Sequence, residues 1–221
     1  MAYALMSGGG KSSILALDRA RRNDIDVKYL VSFYTGTAVR ARFHGTPREL
    51  VEQQAKSLDL EPIAVKTSLS DLEKTFVSSL ESMKERQIEG LVFGDIGLES
   101  VRNWYSERVT AAGLEHMVPN WGEPSIEIAW EVVERGYQAI VVSVDRTQRA
   151  TRFLGREVDA DLITEIGCTD GIDPAGERGE YHTFVFDGPA FDRPVDFSVV
   201  GELELEQLRI VDLEPVSGNG A

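Results

Sequence analysis

The sequence predicts an α/β protein in which a Rossmann-like parallel sheet carries helices on both faces and is followed by a smaller α+β domain. Two patterns lead to this fold class. Through most of the chain, short apolar runs typical of strands alternate with segments whose apolar residues recur at helical spacing. From Thr183 onward the chain instead contains successive β-like runs, separated by glycine and proline.

The first half of the sequence predicts four units, each a strand followed by a helix. In the first unit an apolar run is followed by glycines, and then by Ile14, Leu15, Leu17 and Ala20 at helical spacing. The predicted strands are 3–6, 27–33, 62–65 and 90–94, and the predicted helices cover about 14–20, 46–58, 70–86 and 101–112. In such a sheet the ligand lies beyond the carboxyl ends of the strands. The glycine-bearing ends at residues 7–10 and 94–95 are therefore expected on the same rim.

The pattern changes in the second half. A helix near 126–135 and a strand at 139–144 continue the alternation, and β segments then follow at 183–186, 195–200 and 203–211, with Gly201 as a boundary. We expect one domain over residues 1–124 and a second, α+β domain over 125–221. Since no Pro/Ser-rich linker separates them, the two are expected to pack together.

Composition restricts the class of protein. The 221 residues are 42% hydrophobic and carry a net charge of −14, which allows a sizeable core and argues against general nucleic-acid binding. The single cysteine, Cys168, cannot form an internal disulfide or a thiolate metal cluster. No apolar stretch approaches the ~20 residues of a membrane span, and no leader is evident. A cytoplasmic protein without membrane association is the expectation.

The glycine loop is the first candidate site. Ser7-Gly8-Gly9-Gly10-Lys11-Ser12-Ser13 places backbone N–H groups, hydroxyls and a lysine at a helix N-terminus, an arrangement that suits phosphate. It is not a Walker A loop, because Leu5 stands where the first glycine is required. The alternative is that the glycines only turn the chain and that a serine caps the helix.

The second candidate site is a glycine-broken turn that enters a strand. The segment 173–185 brings together the carboxylates of Glu177 and Glu180, the guanidinium of Arg178, the phenol of Tyr181 and the imidazole of His182. Such carboxylates can hold a cation or an amine and move protons. A solvated acidic loop before a hairpin is the alternative. No spacing of His, Cys, Asp and Glu here matches a dedicated zinc site.

The glycine loop resembles the PP-loop of ATP pyrophosphatases, which reads Ser-Gly-Gly-x-Asp-Ser. Ser7, Gly8 and Gly9 match this motif, whereas Lys11 or Ser12, depending on a one-residue gap, replaces the aspartate. With the second segment the resemblance narrows to the diphthine–ammonia ligase family and covers nearly the whole chain. The other matching segments are Phe43-His44-Gly45-Thr46-Pro47, Gly90-Leu91-Val92-Phe93-Gly94-Asp95-Ile96 with Arg102, Val118-Pro119-Asn120-Trp121-Gly122, Phe153-Leu154-Gly155-Arg156, and Gly176-Glu177-x-Gly179-Glu180-Tyr181-x-Thr183-Phe184-Val185 with Asp187 and Pro189.

The resemblance implies a PP-loop (HUP-type) nucleotide-binding domain and a C-terminal substrate-binding domain. It also implies an enzyme that adenylates the carboxylate of diphthine on elongation factor 2 with ATP and magnesium, releases pyrophosphate, and lets ammonia displace AMP to form diphthamide. The magnesium is expected to enter with ATP. Because the loop aspartate is absent, two alternatives stay open: a paralogue that adenylates another substrate, and a non-catalytic nucleotide-binding protein. An isologous homodimer is the default expectation for the oligomeric state.

The resemblance also implies roles for individual residues. Lys11 and the loop would hold the phosphates, and Asp95 would contact ribose or magnesium. Tyr181 and the two glutamates would meet the trimethylammonium of diphthine or the incoming ammonium. The expected catalytic residues are Lys11, Glu177, Glu180 and His182; the expected nucleotide-binding residues are Ser7, Gly8, Gly9, Gly10, Lys11, Ser12, Ser13, Gly94 and Asp95; and the expected substrate-binding residues are His44, Arg102, Trp121 and Tyr181. Structural roles are the alternative for the histidines, for Arg102 and for Trp121.

Overall fold

A computed structural model describes residues 2–35, 39–68, 70–147, 149–205 and 207–216. The strands are β1 (Ala2–Met6), β2 (Val27–Thr35), β3 (Arg40–Ala41), β4 (Glu61–Lys66), β5 (Ile88–Val92), β6 (Glu115–Met117), β7 (Gln138–Asp145), β8 (Tyr181–Asp187), β9 (Phe197–Leu205) and β10 (Leu208–Pro215). The helices are α1 (Lys11–Arg22), α2 (Arg48–Ser57), α3 (Leu72–Glu85), α4 (Glu99–Ala111), α5 (Ser125–Glu134) and α6 (Ala160–Gly167), with a 3₁₀ turn at Arg149–Phe153.

The first sheet is parallel except for the short strand β3. Its parallel strands lie in the order β4-β2-β1-β5-β6, and β3 pairs antiparallel with the end of β2. The strand order reverses direction between β1 and β5, and a reversal of this kind leaves a crevice at the carboxyl ends of the two strands. The glycine loop follows β1, and Gly94 and Asp95 follow β5, so both candidate segments border that crevice.

The second sheet is antiparallel, in the order β8-β7-β10-β9. The predicted segment 203–211 is wrong, because the chain turns between Leu205 and Leu208 and runs back as β10. Gly201, predicted as a boundary, lies inside β9. The register of β9 against β10 shifts beside Gly201, so this glycine accompanies a bulge and not a turn. The sequence analysis also missed β3, β6, α6 and the 3₁₀ turn, all of which are short.

The two sheets share one core, and the second sheet packs against helices α1 and α2 of the first part. A buried cluster continues from Leu5 and Leu15 of the first sheet and its helix to Phe153, Leu162 and Val185 of the second part. The structure thus confirms the predicted fold class of a helix-covered parallel sheet followed by a smaller α+β part. In the described part of the chain, no helix combines the length and apolarity that a membrane crossing needs.

Candidate functional site

A cavity of about 440 Å³ opens at the carboxyl ends of β1 and β5. Its walls come from the glycine loop, the segment 42–44 after β3, the β5–α4 loop and the segment 175–183 that leads into β8. Both candidate sites recognised in the sequence therefore border one cavity, although they lie more than 160 residues apart.

The glycine loop is braced by its own serines. The Oγ atoms of Ser7 and Ser13 are 2.6 Å apart, the Gly9 N–H donates to Ser7 Oγ at 2.9 Å, and Ser13 Oγ donates to the carbonyl of Gly10 at 2.8 Å. The first N–H groups of a helix have no intrahelical acceptor. The N–H of Lys11 donates to Thr183 Oγ1 at 3.1 Å and that of Ile14 to the carbonyl of Gly10 at 3.2 Å. The N–H groups of Ser12 and Ser13, between them, are positioned to meet a ligand.

Gly9 connects the loop to the second sheet. Its carbonyl accepts the N–H of Val185 at 2.9 Å and the side-chain amide of Gln54 at 3.0 Å, and its φ of +97° is a value that favours glycine. A Cβ here would lie 2.9 Å from the Phe184 ring. Gly9 therefore faces the second sheet and is not part of the cavity wall.

The ring of His44 lies across the glycine loop. A Cβ on Gly8 or Gly10 would lie 2.5 Å from a carbon of this ring, so the contact requires glycine at both positions. His44 Nδ1 lies 2.9 Å from the carbonyl of Thr183. Since a carbonyl only accepts, Nδ1 carries the proton and Nε2 keeps a free lone pair.

Both histidines of the cavity are neutral at pH 7. The pKa of His44 is lowered to about 4, mainly by burial and to a smaller extent by the charge of Lys11, against a rise from the bond to Thr183. Burial, with smaller effects from His44 and Lys11, also lowers the pKa of His182. The two rings are 4.8 Å apart between centroids. Neutral imidazoles of this kind can accept a hydrogen bond from a bound ligand.

Lys11 is 4% exposed and points toward the segment 173–181. Its Nζ donates to the carbonyl of Ala175 at 2.5 Å and lies 4.4 Å from the centroid of the Tyr181 ring. Burial lowers the pKa of Lys11 to about 8, although nearby carboxylates, Glu177 foremost, act to raise it. The ring face of Tyr181, expected to meet a substrate cation, is thus already occupied by Lys11.

The two glutamates of the second segment have different positions. Glu177 lines the cavity, and its carboxylate accepts the N–H of Ile96 at 3.1 Å. Burial raises its pKa. Glu180 is 1% exposed and accepts the N–H groups of Asp173 and Arg178 at 2.7 and 3.0 Å. Glu180 therefore holds the turn together and does not face the cavity, in contrast to the contact with a substrate cation expected from the sequence.

The β5–α4 loop contributes Gly94 and Asp95. A Cβ on Gly94 would lie 2.6 Å from the backbone nitrogen of Ser13, so this glycine lets the loop pack against the start of α1. Asp95 Oδ2 is buried and has no hydrogen-bond partner among the described residues. Burial raises the pKa of Asp95 to about 6, and the charge of Glu177 adds to this rise.

Arg42 and an aromatic wall are cavity features that the sequence analysis did not single out. The Arg42 guanidinium lies 4.4 Å from the Phe43 ring centroid, and its Nε is buried without a hydrogen-bond partner in the described part of the chain. The wall consists of Phe33, Phe76, Phe93, Trp104 and Tyr105. Arg42 directly precedes the recognised Phe43-His44 motif, which was the available signal. The aromatic residues looked like ordinary core positions.

Most of the predicted site residues lie together. The cavity is lined by Ser7, Gly8, Gly10, Lys11, Ser12, Ser13, His44, Gly94, Asp95, Glu177, Tyr181 and His182. Gly9, Glu180, Arg102 and Trp121 do not line it. The Arg102 guanidinium stacks on the Trp121 ring at 4.5 Å, so these two residues contact each other instead. Asn120, next to Trp121, is fully buried and donates to the carbonyl of Ser12 at 2.8 Å.

The fold and the cavity define an α/β protein with its candidate site at a topological switch point, where a glycine loop meets a helix N-terminus. Comparison with known proteins gives the family. A family model described as the diphthamide synthase N-terminal domain matches residues 1–116, and one described as the diphthamide synthase C-terminal domain matches residues 124–209. The chain belongs to the diphthamide synthase family, which confirms the resemblance found in the sequence.

Individual relatives are distant. A curated diphthine–ammonia ligase from Bos taurus is 25% identical over 146 residues, which cover 64% of this chain and 54% of that protein. The match thus spans about half the length of this relative. A solved structure, described as a predicted subunit of a tRNA methyltransferase from Methanocaldococcus jannaschii, is 14% identical over 88% of this chain and 100% of that chain, with a TM-score of 0.48.

Proposed function

We propose that the protein is an ATP-dependent ligase that converts diphthine on elongation factor 2 into diphthamide. The observation that carries this proposal is the meeting of the glycine loop and the segment 175–183 in one cavity of about 440 Å³. A phosphate-binding loop beside a site with ionisable groups suits adenylation followed by amidation. Membership of the diphthamide synthase family supports the same assignment.

In this reaction an oxygen of the diphthine carboxylate attacks the α-phosphate of ATP, and pyrophosphate leaves. Ammonia then attacks the carbonyl carbon, the bond to AMP breaks, and the nitrogen gives up a proton. The N–H groups at the start of α1, with Gly8, Gly10, Ser12 and Ser13 beside them, are suited to the phosphates. The neutral rings of His44 and His182 are suited to accept hydrogen bonds from ammonia, and the proton passes to solvent, because burial makes both imidazoles weak bases.

Magnesium would be held mainly by the phosphates of ATP. In the described residues there is no group of three or more His, Cys, Asp and Glu side chains that could hold a metal ion. The donors near the loop are serine hydroxyls and backbone groups, and the position of the usual PP-loop aspartate holds Lys11 or Ser12. Magnesium supplies charge neutralisation on the departing pyrophosphate when it is bound there.

The test is pyrophosphate release from MgATP with ammonium, with and without diphthine-bearing elongation factor 2. We expect release that requires both the modified protein and ammonium, with one AMP formed per pyrophosphate. Formation of ADP would contradict an adenylating reaction. Release without elongation factor 2 would indicate a different carboxylate, and ATP binding without release under every condition would indicate a non-catalytic protein.

A pair of glycine variants tests whether the reaction occurs at this loop. Gly10→Ala would place a Cβ 2.5 Å from the His44 ring, whereas Gly201→Ala adds a Cβ with no atom within 4 Å. We expect at least a tenfold loss of pyrophosphate release for Gly10→Ala and none for Gly201→Ala. Equal rates for the two variants would place the reaction elsewhere.

A further inference from the structure

Two oppositely charged cavity residues each have one buried side-chain atom without a hydrogen-bond partner in the described part of the chain. Arg42 Nε and Asp95 Oδ2 both belong to cavity-lining residues, and both atoms are buried without a hydrogen bond among the described residues. A buried charged group that lacks a partner is costly, and most such groups in proteins are satisfied by something. A ligand with one anionic and one cationic group would satisfy both.

Both charges lie near Tyr105, which also lines the cavity. Burial is the main cause of the raised pKa of Tyr105, but the charge of Asp95 raises this pKa further and the charge of Arg42 lowers it. Both side chains therefore act on one phenol that lines the cavity. Among the described residues the Arg42 guanidinium forms no ion pair. It stacks on the Phe43 ring.

The wall beside Asp95 is aromatic. The ring centroids of Phe93 and Tyr105 are 4.8 Å apart, those of Trp104 and Tyr105 are 4.9 Å apart and perpendicular, and Phe76 lies 5.4 Å from Trp104. One face of Trp104 is taken by the Arg108 guanidinium at 4.1 Å, and Trp104 also lines the cavity. Aromatic rings next to a carboxylate are the usual recognition site of a quaternary ammonium group.

We propose that the part of the cavity near Tyr105 binds a betaine, a group that carries a quaternary ammonium and a carboxylate, with the ammonium on the aromatic wall and Asp95 and the carboxylate on Arg42. The inference rests on the proposed function, because diphthine carries a trimethylammonium group and the carboxylate that is adenylated. It moves the cation of diphthine from Glu177, Glu180 and Tyr181 to Asp95; Glu180 and Tyr181 are committed to other contacts. It also removes Asp95 from the nucleotide-binding set.

The first test uses the unaltered protein and three small probes. Glycine betaine carries both charges, 3,3-dimethylbutanoate is its isostere with carbon in place of the quaternary nitrogen, and choline lacks the carboxylate. Calorimetry or ligand-observed NMR without ATP should show binding of glycine betaine in the millimolar range. The isostere and choline should each bind at least fivefold more weakly. Equal binding of betaine and its isostere, or no betaine binding, would overturn the proposal.

The second test uses variants with matched controls. Asp95→Asn and Arg42→Gln should each weaken betaine at least fivefold and leave MgATP affinity within about twofold. Asp26→Asn and Arg86→Gln, whose side chains are 53% and 48% exposed, should change neither affinity. If the two cavity variants weaken MgATP and leave betaine unchanged, the charges serve the nucleotide and the proposal is wrong.

The two proposals fail in different ways. Betaine binding is measured without ATP, and pyrophosphate release is measured separately. Betaine binding in a protein that never releases pyrophosphate would support the zwitterion site and contradict the ligase. Pyrophosphate release that depends on elongation factor 2, in a protein that does not distinguish betaine from its isostere, would support the ligase and overturn the site.

Discussion

The Nζ of Lys11 donates to the carbonyl of Ala175, 2.5 Å away and 164 residues later in the chain. This bond joins the start of α1 to the turn before β8, and Thr183 Oγ1 reinforces it by accepting the Lys11 N–H. Lys11 therefore fastens the glycine loop to the second sheet. Its ammonium group lies beside the cavity but is already bound to the Ala175 carbonyl and the Tyr181 ring.

At pH 10, where the buried Lys11 amine is neutral in the folded protein, Lys11→Met should lower the free energy of unfolding by about 1 to 3 kcal/mol, because the Ala175 carbonyl is left without its donor in a buried place. Lys28→Met is the matched control, since the Lys28 side chain is 57% exposed. Urea unfolding of both variants measures the difference. An unchanged stability for Lys11→Met, with a large loss of ATP affinity, would instead make Lys11 a phosphate ligand.

The lowered pKa of Lys11 predicts a pH dependence. Between its folded pKa of about 8 and its ordinary value of 10.5, the unfolded chain binds the proton that the folded chain has lost. Stability therefore rises with pH in this window, and the penalty of the buried charge is fully present below pH 8. The stability of the natural protein relative to Lys11→Met should increase from pH 8 to 10. A difference that stays constant would show an ordinary lysine pKa.

Glu180→Gln tests the structural position of Glu180. The carboxylate accepts two backbone N–H groups, whereas an amide offers one oxygen, so at least one of these donors loses its partner. We expect a loss of about 1 to 3 kcal/mol in unfolding free energy. On heating, the variant should lose ATP binding and enzymatic activity together, at the temperature at which it unfolds. Unchanged stability with a selective loss of amidation would instead show that Glu180 contacts the substrate.

The sequence predicted the parallel part of the fold because its strands and helices have strong apolar periodicity. It failed where elements are short or lie in a hairpin. Strand β3 has two residues, and the turn after Leu205 carries no glycine, while Gly201 marked a bulge instead. Apolar periodicity indicates which face of an element is buried, and a very short element has too few residues to show it. A glycine in the sequence is equally consistent with a bulge and with a turn.

The sequence predicted which residues lie at the candidate site better than it predicted what those residues contact. A sequence motif shows that Glu177 and Glu180 occur together, but the direction of each side chain is set by the turn between them. Arg42 and Trp104 had no motif of their own, since their relation to Asp95 arises only when distant segments meet. Such a relation depends on tertiary packing that no local pattern contains.

Asp95→Asn should stabilise the free protein at pH 7.5 and leave it unchanged near pH 4. The folded pKa of Asp95, about 6, lies above its ordinary value of 3.8, so the folded chain binds the extra proton between these values and loses stability as the pH rises through them. Replacement by a neutral amide removes a penalty of about 1 to 3 kcal/mol. Thermal unfolding at both pH values, with Asp26→Asn as control, measures it. An equal gain at both values would contradict the raised pKa.

Gly176→Ala should cost more stability than Gly171→Ala. Both glycines have a positive φ, +72° and +84°, so both alanine variants carry the same backbone strain of about 1 to 2 kcal/mol. A Cβ on Gly176 would also lie 2.5 Å from the carbonyl oxygen of Tyr181, whereas one on Gly171 would meet no atom within 4 Å. The clash is with backbone and must move the turn that carries Ala175, and with it the acceptor of Lys11. We expect an additional loss of about 1 to 3 kcal/mol for Gly176→Ala in urea unfolding. Equal losses for the two variants would mean that this turn can shift freely, and that the bond from Lys11 does not fix it to the glycine loop.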